Sequence, residues 1–300
     1  MRLISAAILT AVTLGSAAFA EEVTVTTARG ESAVPLSPEK VVVYDIAAVD
    51  TLSALGVELA GVPDNLYLSD LDAGDAEAVG TLFEPDLEAL AGLAPDLIIV
   101  GSRSASQLDA VSQVAPAIDM TIGTDLVADA EARIAAYGQI FDKADAAGKL
   151  TAELDEKLAA LGDAAEGEGS ALIVMTNGTK MAAYGAGSRF GWLHDATGME
   201  PAISGLDSDE GHGNVLTHEA IAEADPDWIF VLDRGAAIGE EGQSAAETLR
   251  SPLIEGTTAW KEDQVVYLPA GELYIGGGGF GSLTKVIDAL TEVLSGSAGA

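Results

Sequence analysis

Two arginines occupy matching positions in a segment that the chain carries twice. Residues 88–103 read EALAGLAPDLIIVGSR and residues 219–234 read EAIAEADPDWIFVLDR, so the two copies align without a gap and end at Arg103 and Arg234. A guanidinium group stays charged at physiological pH, and its planar fork of donors fits paired oxygen atoms. Two such groups at matching places indicate a binding site for an anion.

The elements that position these arginines can be read from the same two segments. The first residues of each copy have the composition of a short helix, and Pro95 ends the first one because proline cannot continue a helix. Residues 97–100 (LIIV) are then continuously apolar, which is typical of a strand buried on both faces of a parallel sheet, and residues 228–232 repeat this run. Ligands of open α/β sheets bind beyond the carboxyl ends of the strands. We therefore expect Arg103 and Arg234 to face one cleft between two similar lobes.

The alternative is a duplicated scaffold that carries two unrelated surface arginines. The charge balance favours the cleft. The formal net charge is −34, with 14 Lys and Arg against 48 Asp and Glu, so basic residues are scarce and two arginines at matching strand ends are better explained by a shared binding site. We interpret most of the carboxylates as an acidic, solvated surface. The same negative field argues against nucleic acid and anionic lipid as partners.

The rest of the chain fits two lobes joined by a helix. Residues 41–44 and residues 171–175 read as the first strand of each lobe, and residues 126–165 are rich in strong helix formers, with leucines at helical spacing. The sequence thus predicts an α/β fold of two Rossmann-like lobes with parallel sheets, joined by one long α-helix, with the ligand cleft between the lobes. The alternative is an ordinary helix inside one lobe. The predicted divisions are an N-terminal lobe, a bridging helix and a C-terminal lobe at residues 21–142, 143–166 and 167–300.

Residues 1–20 are typical of a cleaved secretory signal peptide. Arg2 gives a positive start, an apolar run follows, and residues 18–20 (AFA) form a small-x-small cleavage site. The apolar run is too short to span a bilayer. The chain contains no cysteine, which excludes disulfides, thiolate metal sites and the lipid attachment of a lipoprotein. We expect a monomeric periplasmic protein without membrane insertion.

The duplicated segments, the export signal and the central helix together resemble the periplasmic substrate-binding proteins of ABC importers for iron–siderophore complexes, haem and vitamin B12. The resemblance covers essentially the whole chain after the signal. It implies two lobes bridged by one helix, with small opening motions. It also implies that a glutamate on each lobe docks against arginines of the inner-membrane permease, and the matching positions are Glu88 and Glu219. The alternative for both is a carboxylate that complements the dipole at a helix start.

Four motifs narrow this resemblance to the subgroup that binds ferric catecholate siderophores, of the bis-catecholate or the catecholate–citrate type. They are residues 187–191 (GSRFG), 212–213 (HG), 233–239 (DRGAAIG) and 274–278 (YIGGG). The subgroup resemblance implies that the cleft is lined by Arg103, Arg189 and Arg234. It also implies that His212 and Tyr274 bind the iron of the siderophore directly.

The chemistry of these residues agrees with an anionic ferric ligand. Each catecholate carries two negative charges, so three guanidiniums about neutralise a ferric tris-catecholate. A bis-catecholate fills four of the six positions around Fe(III), and one imidazole nitrogen and one phenolate oxygen would complete the octahedron. The iron is then cargo, and we expect no intrinsic cofactor. The alternatives are a solvated loop histidine at position 212 and a tyrosine at position 274 that only packs beside the glycines.

Two other functions stay open at this point. Haem would take Tyr274 or His212 as an axial ligand and hold its propionates on the arginines. A periplasmic enzyme acting on a siderophore is less favoured, since the sequence shows no Ser-His-Asp arrangement or nucleophile elbow, and we expect a protein that is not an enzyme.

Two further features are interpreted as parts of the cleft. Residues 276–281 (GGGGFG) satisfy the GxGxxG pattern, but only about twenty residues follow, too few for a nucleotide-binding βαβ unit. We interpret them as a loop whose backbone approaches the ligand. Four aromatic residues are possible cleft walls, and none is expected to be a ligand: Tyr44, Tyr67, Tyr184 and Trp192.

Overall fold

The computed structural model describes residues 21–208 and 211–297. The predicted signal peptide at residues 1–20 lies outside the described residues. The described chain opens with an antiparallel hairpin of β1 (Glu22–Thr27) and β2 (Gly30–Pro35). Within the described part of the chain, none of the helices combines the length and the apolar character needed to cross a bilayer.

The first sheet is parallel throughout and has the strand order β5-β4-β3-β6-β7. Its strands are β3 (Val41–Val43), β4 (Gly61–Val62), β5 (Glu77–Ala78), β6 (Leu97–Val100) and β7 (Ala117–Asp119). The helices of this lobe are α1 (Ile46–Ala54), α2 (Leu87–Leu93), a 3₁₀ helix (Ser102–Gln107) and α3 (Leu108–Val111). All residues of β3 and β6 are buried, as their apolar runs predict.

Two helices connect the lobes, α4 (Leu126–Ile140) and α5 (Ala144–Ala165). The 22 residues of α5 span about 33 Å, and this is the long helix that the sequence predicts. Its leucines at helical spacing all face the interior, with Leu154 and Leu161 fully buried. The helical composition of residues 126–165 does not show the break between α4 and α5, where Asp142 has a left-handed backbone (φ 51°).

The second sheet has the order β11-β9-β8-β12-β13, with β10 also paired to β8. Its strands are β8 (Ser170–Asn177), β9 (Lys180–Tyr184), β10 (Glu200–Pro201), β11 (Asn214–Leu216), β12 (Trp228–Asp233) and β13 (Val265–Tyr267). Strands β8, β10, β12 and β13 are parallel, whereas β9 and β11 run antiparallel to their neighbours. The second sheet is therefore mixed, because a two-residue turn at Gly178 and Thr179 folds β9 back onto β8 as a hairpin.

The helices around the second sheet are mostly short. They are α6 (Trp192–Thr197), α7 (His218–Ala224), α8 (Arg234–Ile238), α9 (Ala245–Leu249), a 3₁₀ helix (Ile254–Gly256), α10 (Thr258–Lys261), α11 (Ala270–Tyr274) and α12 (Phe280–Ser297). Helix α6 ends at Gly198 in a left-handed conformation (φ 67°), as the glycine predicts.

One hydrophobic core runs through both lobes. Ile99 of the first sheet, Leu154 of α5 and Phe230 of the second sheet belong to the same cluster of buried residues. Helix α12 packs along α5 and α1, so the end of the chain returns to the N-terminal half. Opening the lobes widely would expose part of this core, which costs free energy in proportion to the apolar area. The predicted lobe bounds at residues 142 and 167 stay a prediction.

Glycines at the start of α12 make room for a carboxylate of α1, and the interpretation of residues 276–281 as a loop that approaches the ligand stays a prediction. Asp50 of α1 accepts hydrogen bonds from the main-chain N–H groups of Gly281 and Ser282, at 3.2 and 2.6 Å. A Cβ atom at Gly279 or Gly281 would lie 2.5 Å from an Asp50 carboxylate oxygen. These glycines therefore let a carboxylate reach the free N–H groups at the start of α12, where a negative charge is favoured.

Candidate functional site

Arg103 and Arg234 lie directly beyond the carboxyl ends of matching strands. Arg103 is the second residue of the 3₁₀ helix that follows β6, and Arg234 is the first residue of α8, which follows β12. The duplicated segment thus gives each sheet one arginine at its ligand edge. Both side chains are partly buried.

Tyr274 brings these two arginines together with Arg189. The Nη2 atoms of Arg103 and Arg189 each donate a 2.7 Å hydrogen bond to the main-chain oxygen of Tyr274. Nε of Arg234 donates to the phenol oxygen of Tyr274 at 3.2 Å. The three guanidinium carbons lie 5.0, 4.6 and 5.8 Å from the centre of the tyrosine ring, in the order Arg103, Arg189 and Arg234. Three positive charges therefore surround one aromatic ring.

The main-chain oxygen of Tyr274 is available because of its place in the helix. Tyr274 is the last residue of α11, and the last carbonyl groups of a helix have no acceptor role inside it. These carbonyls also carry partial negative charge, which attracts cations. The helix end therefore gathers two guanidiniums that would otherwise repel each other.

The arginines change the acidity of the Tyr274 phenol. Partial burial by itself raises the pKa of Tyr274, but the hydrogen bond from Arg234 and the charges of Arg189, Arg234 and Arg103 outweigh it and hold the pKa below its usual value of 10.0. The phenolate is thus stabilised by its neighbours. A phenolate oxygen is a good ligand for ferric iron.

The largest cavity at the site has a volume of about 870 Å³. Four residues predicted for the site line it: Arg189, Arg234, His212 and Tyr274. Arg103 lies instead on a small neighbouring cavity of about 60 Å³, which shares Arg189 and Tyr274 with the large one. The structure therefore brings four of the five predicted residues to one cavity and places the fifth beside it.

His212 is presented by a short, internally bonded loop. The side-chain oxygen of Asn214 accepts from the main-chain N–H of Asp207 at 3.0 Å, and its Nδ2 donates to the main-chain oxygen of Asp207 at 3.0 Å. Gly213 has a left-handed backbone (φ 76°), and a Cβ atom there would lie 2.7 Å from the ring of Tyr184. The glycine thus allows the loop to pack on Tyr184 while His212 remains exposed on the cavity wall.

Several lining residues were not predicted. Asn177 accepts from Nη1 of Arg234 at 3.3 Å, and Lys180 lines the same cavity from the start of β9. Both residues flank the two-residue turn that begins at Gly178, and a glycine at this turn position is a hairpin signal in the sequence. Among the four aromatic candidates, Tyr184 lines the large cavity. Tyr44 is instead fully buried, and its hydroxyl donates to the main-chain oxygen of Val79.

The two predicted docking residues occupy equivalent, exposed places. Glu88 and Glu219 are each the second residue of their helix, α2 and α7. Asp86 and Thr217 cap these helices by accepting main-chain hydrogen bonds. Hydrogen bonds from its own main-chain N–H and from Thr217 hold the pKa of Glu219 below its ordinary value. Either carboxylate complements the dipole of its helix, so the local structure agrees with both interpretations.

Comparison with known proteins shows the family to which the chain belongs. A family model described as "Periplasmic binding protein" matches residues 41–271, and the chain belongs to this family. The predicted family and the predicted two-lobe fold are therefore confirmed.

Several individual relatives are named as siderophore-binding proteins. The petrobactin-binding protein YclQ of Bacillus subtilis is 35% identical over 272 residues, covering 87% of this chain and 84% of the relative. Its crystal structure matches with a TM-score of 0.85 at 33% identity, covering 91% and 99% of the two chains. The ferric-anguibactin-binding protein FatB of Vibrio anguillarum is 29% identical over 276 residues, 88% and 84% of the two chains. The catecholate-siderophore-binding protein VctP of Vibrio cholerae has a TM-score of 0.83 at 25% identity, covering 91% and 100%. These relatives are named as binding proteins rather than enzymes.

Proposed function

We propose that this protein captures an anionic ferric siderophore of the catecholate type and delivers it to an ABC import permease. The observation that carries the proposal is the group of three guanidiniums within 5.8 Å of the Tyr274 ring, beside a cavity of about 870 Å³. That cavity is large enough for a compact metal complex. The named cargoes of YclQ and FatB and the catecholate specificity named for VctP support a siderophore.

In the proposed binding mode the arginines bind the oxygens of the ligand, and two protein side chains fill the coordination positions that the ligand leaves free on the iron. Arg103, Arg189 and Arg234 donate charge-assisted hydrogen bonds to catecholate oxygens. Tyr274 and His212 fill the two positions that a bis-catecholate leaves free on Fe(III). Tyr274 is suited to this role because the surrounding positive charge lowers its pKa.

The test is a titration of the purified mature protein with a ferric bis-catecholate, a ferric tris-catecholate and haem, reading tryptophan fluorescence and visible absorbance together. We expect tight binding of the bis-catecholate and a changed iron charge-transfer band. Binding of haem without any response to the ferric catecholates would indicate that the cargo is haem and not a siderophore. Chemical conversion of the siderophore during long incubation would instead indicate an enzyme.

Delivery to the permease is proposed to use Glu88 and Glu219 as contacts for permease arginines. In membrane vesicles that contain the permease, Glu88→Ala and Glu219→Ala should reduce uptake while the affinity of the free protein for its cargo stays the same. Glu153→Ala is the matched control, since Glu153 is exposed on α5, away from the two capped helices. Unchanged uptake in both variants would leave these residues only their role at the helix starts.

Export to the periplasm as a soluble monomer is also part of the proposal. Cleavage after Ala20 would leave a mature chain without a cysteine for lipid attachment. Two Bacillus subtilis relatives are named lipoproteins, so the two modes of anchoring need a direct comparison. Intact-mass measurement of the periplasmic protein should show an unmodified chain that begins at Glu21, and light scattering should give the mass of one chain.

A further inference from the structure

Arg234 differs from the other two cleft arginines in the partner that holds it. Arg103 and Arg189 donate to a neutral main-chain oxygen. Nη1 of Arg234 lies 3.6 Å from a carboxylate oxygen of Glu240, while its Nε donates to the phenol of Tyr274. Among the described residues, the contact between Arg234 and Glu240 is the one ion pair that the three cleft arginines make. Part of the positive charge that faces the cavity is therefore already balanced by the protein.

The position of Glu240 follows from the way α8 ends. Gly239 adopts a left-handed backbone (φ 68°), and its N–H donates to the main-chain oxygen of Ala236 at 3.3 Å. The N–H of Glu240 then donates to the main-chain oxygen of Gly235 at 2.9 Å. This closing turn folds the chain back over a helix of only five residues. Glu240 is therefore held beside Arg234, which begins the same helix.

The two members of this ion pair line two neighbouring cavities. The large cavity, which Arg234 lines, and a second cavity of about 430 Å³, which Glu240 lines, share three wall residues: Asn177, Thr179 and Lys180. An anion that reaches Arg234 through the large cavity consequently arrives next to the carboxylate of Glu240. The side chain of Glu240 is 60% exposed, so its carboxylate remains in contact with water while the anion binds.

We propose that Glu240 is a specificity-determining residue that selects ferric complexes of low negative charge. Its carboxylate repels a bound anion at the same place where Arg234 attracts it, and this repulsion grows with the charge of the anion. A ferric bis-catecholate carries one net negative charge, whereas a ferric tris-catecholate carries three. Glu240 therefore disfavours the tris-catecholate more strongly. This inference rests on the proposed function and adds the charge class of its substrate.

The test compares Glu240→Gln with Glu241→Gln. Both substitutions remove one negative charge from neighbouring residues that line the same cavity, but the ion pair with Arg234 is made by Glu240. The dissociation constants for the ferric bis-catecholate and the ferric tris-catecholate are measured for each variant at low salt, and the thermal unfolding midpoint shows that each is folded. Glu240→Gln should shift the affinity ratio towards the tris-catecholate by about two- to fivefold, the range that an exposed ion pair supports. Glu241→Gln should leave the ratio close to that of the wild type.

Each other outcome has a distinct meaning. An equal shift of the ratio in both variants would show a general charge effect and overturn the inference. Weaker binding of both complexes by folded Glu240→Gln would show that Glu240 only positions Arg234, which also overturns it. Wild-type protein that binds neither complex would overturn the proposed function together with this inference, whereas normal wild-type binding with unchanged ratios overturns the inference alone.

Discussion

Arg103, which follows β6 of the first sheet, donates a 2.7 Å hydrogen bond to the main-chain oxygen of Tyr274, which follows β13 of the second sheet. The bond crosses from one lobe to the other and fixes the guanidinium 5.0 Å from the tyrosine ring. Arg189 shares the same acceptor. The protein's own carbonyl therefore gathers the positive charge of the cleft, so that little side-chain entropy is lost when an anion binds.

Replacing any of the three cleft arginines by alanine should weaken the binding of a ferric catecholate by about 1.5–3 kcal/mol, the range for hydrogen bonds to charged groups. Each substitution leaves part of the anion without a hydrogen-bond donor in a partly buried site. Isothermal titration calorimetry on Arg103→Ala, Arg189→Ala and Arg234→Ala measures the loss. Arg250→Ala is the control, because Arg250 is exposed and lines none of the cavities at the site. If Arg250→Ala costs as much as the others, the effect is one of net charge alone.

Tyr274→Phe should weaken a tetradentate ferric complex and shift its charge-transfer band to shorter wavelength or reduce it. The phenylalanine ring keeps the packing against the arginines but offers no oxygen to the iron. A hexadentate complex, whose iron is already saturated, should respond less. Visible absorbance during the titration measures both effects. Tyr267→Phe makes the same chemical change on β13, outside the cavity, and an unaltered spectrum in Tyr274→Phe would exclude the phenolate as an iron ligand.

Gly213→Ala should lower both the free energy of unfolding and the affinity for the cargo. Gly205→Ala is the control that separates backbone strain from the clash with Tyr184. Both glycines have a left-handed backbone, with φ of 76° and 73°. A Cβ atom at Gly213 would lie 2.7 Å from the Tyr184 ring, whereas nothing lies within 4 Å of one at Gly205. Both variants lose about 1 kcal/mol or more to backbone strain. Gly213→Ala loses roughly 1–3 kcal/mol further to the clash and displaces the His212 loop.

Urea unfolding and cargo titration of the two glycine variants distinguish these contributions. Equal losses of stability in both would show that the contact with Tyr184 relaxes without cost. A normal affinity in folded Gly213→Ala would show that the position of the His212 loop does not matter for binding.

Asp45→Asn should stabilise the protein at neutral pH. Burial raises the pKa of Asp45 from 3.8 to about 6, against the opposing effects of the Ala48 hydrogen bond and of Arg103 and Arg133, while Asp119 adds to the rise. Since the folded state holds the proton more tightly than the unfolded state, this group contributes most to stability below about pH 3.8. The contribution is lost as the pH rises to about 6.

An asparagine keeps the side-chain oxygen that caps α1 and carries no charge. The variant should therefore exceed the wild type by up to about 3 kcal/mol at pH 7, with the difference shrinking towards pH 4. Urea unfolding at both pH values measures it, with Asp109→Asn, an exposed carboxylate in the first turn of α3, as the control. A difference that does not change with pH would show that burial of the Asp45 charge is not its cause.

Local sequence patterns determined much of the scaffold. The apolar runs at residues 97–100 and 228–232 predicted buried strands because a strand covered on both faces has no polar side. The leucines at helical spacing predicted the buried face of α5 in the same way. The duplicated segment predicted an arginine at the end of each strand, and both arginines lie there, since their distance from the strand is fixed along the chain.

Only the tertiary structure decided how these arginines are held. Arg103 shares its acceptor with Arg189, and this acceptor is a main-chain oxygen at the end of α11. Every residue has such an atom, so the side-chain sequence does not distinguish it, and Arg234 reaches the same tyrosine through its phenol oxygen. The glycines at residues 279 and 281 likewise face Asp50, which is more than 200 positions away in the chain. The sequence specifies which groups can bind an anion, whereas their convergence depends on contacts between distant elements that form only when both lobes pack on the shared core.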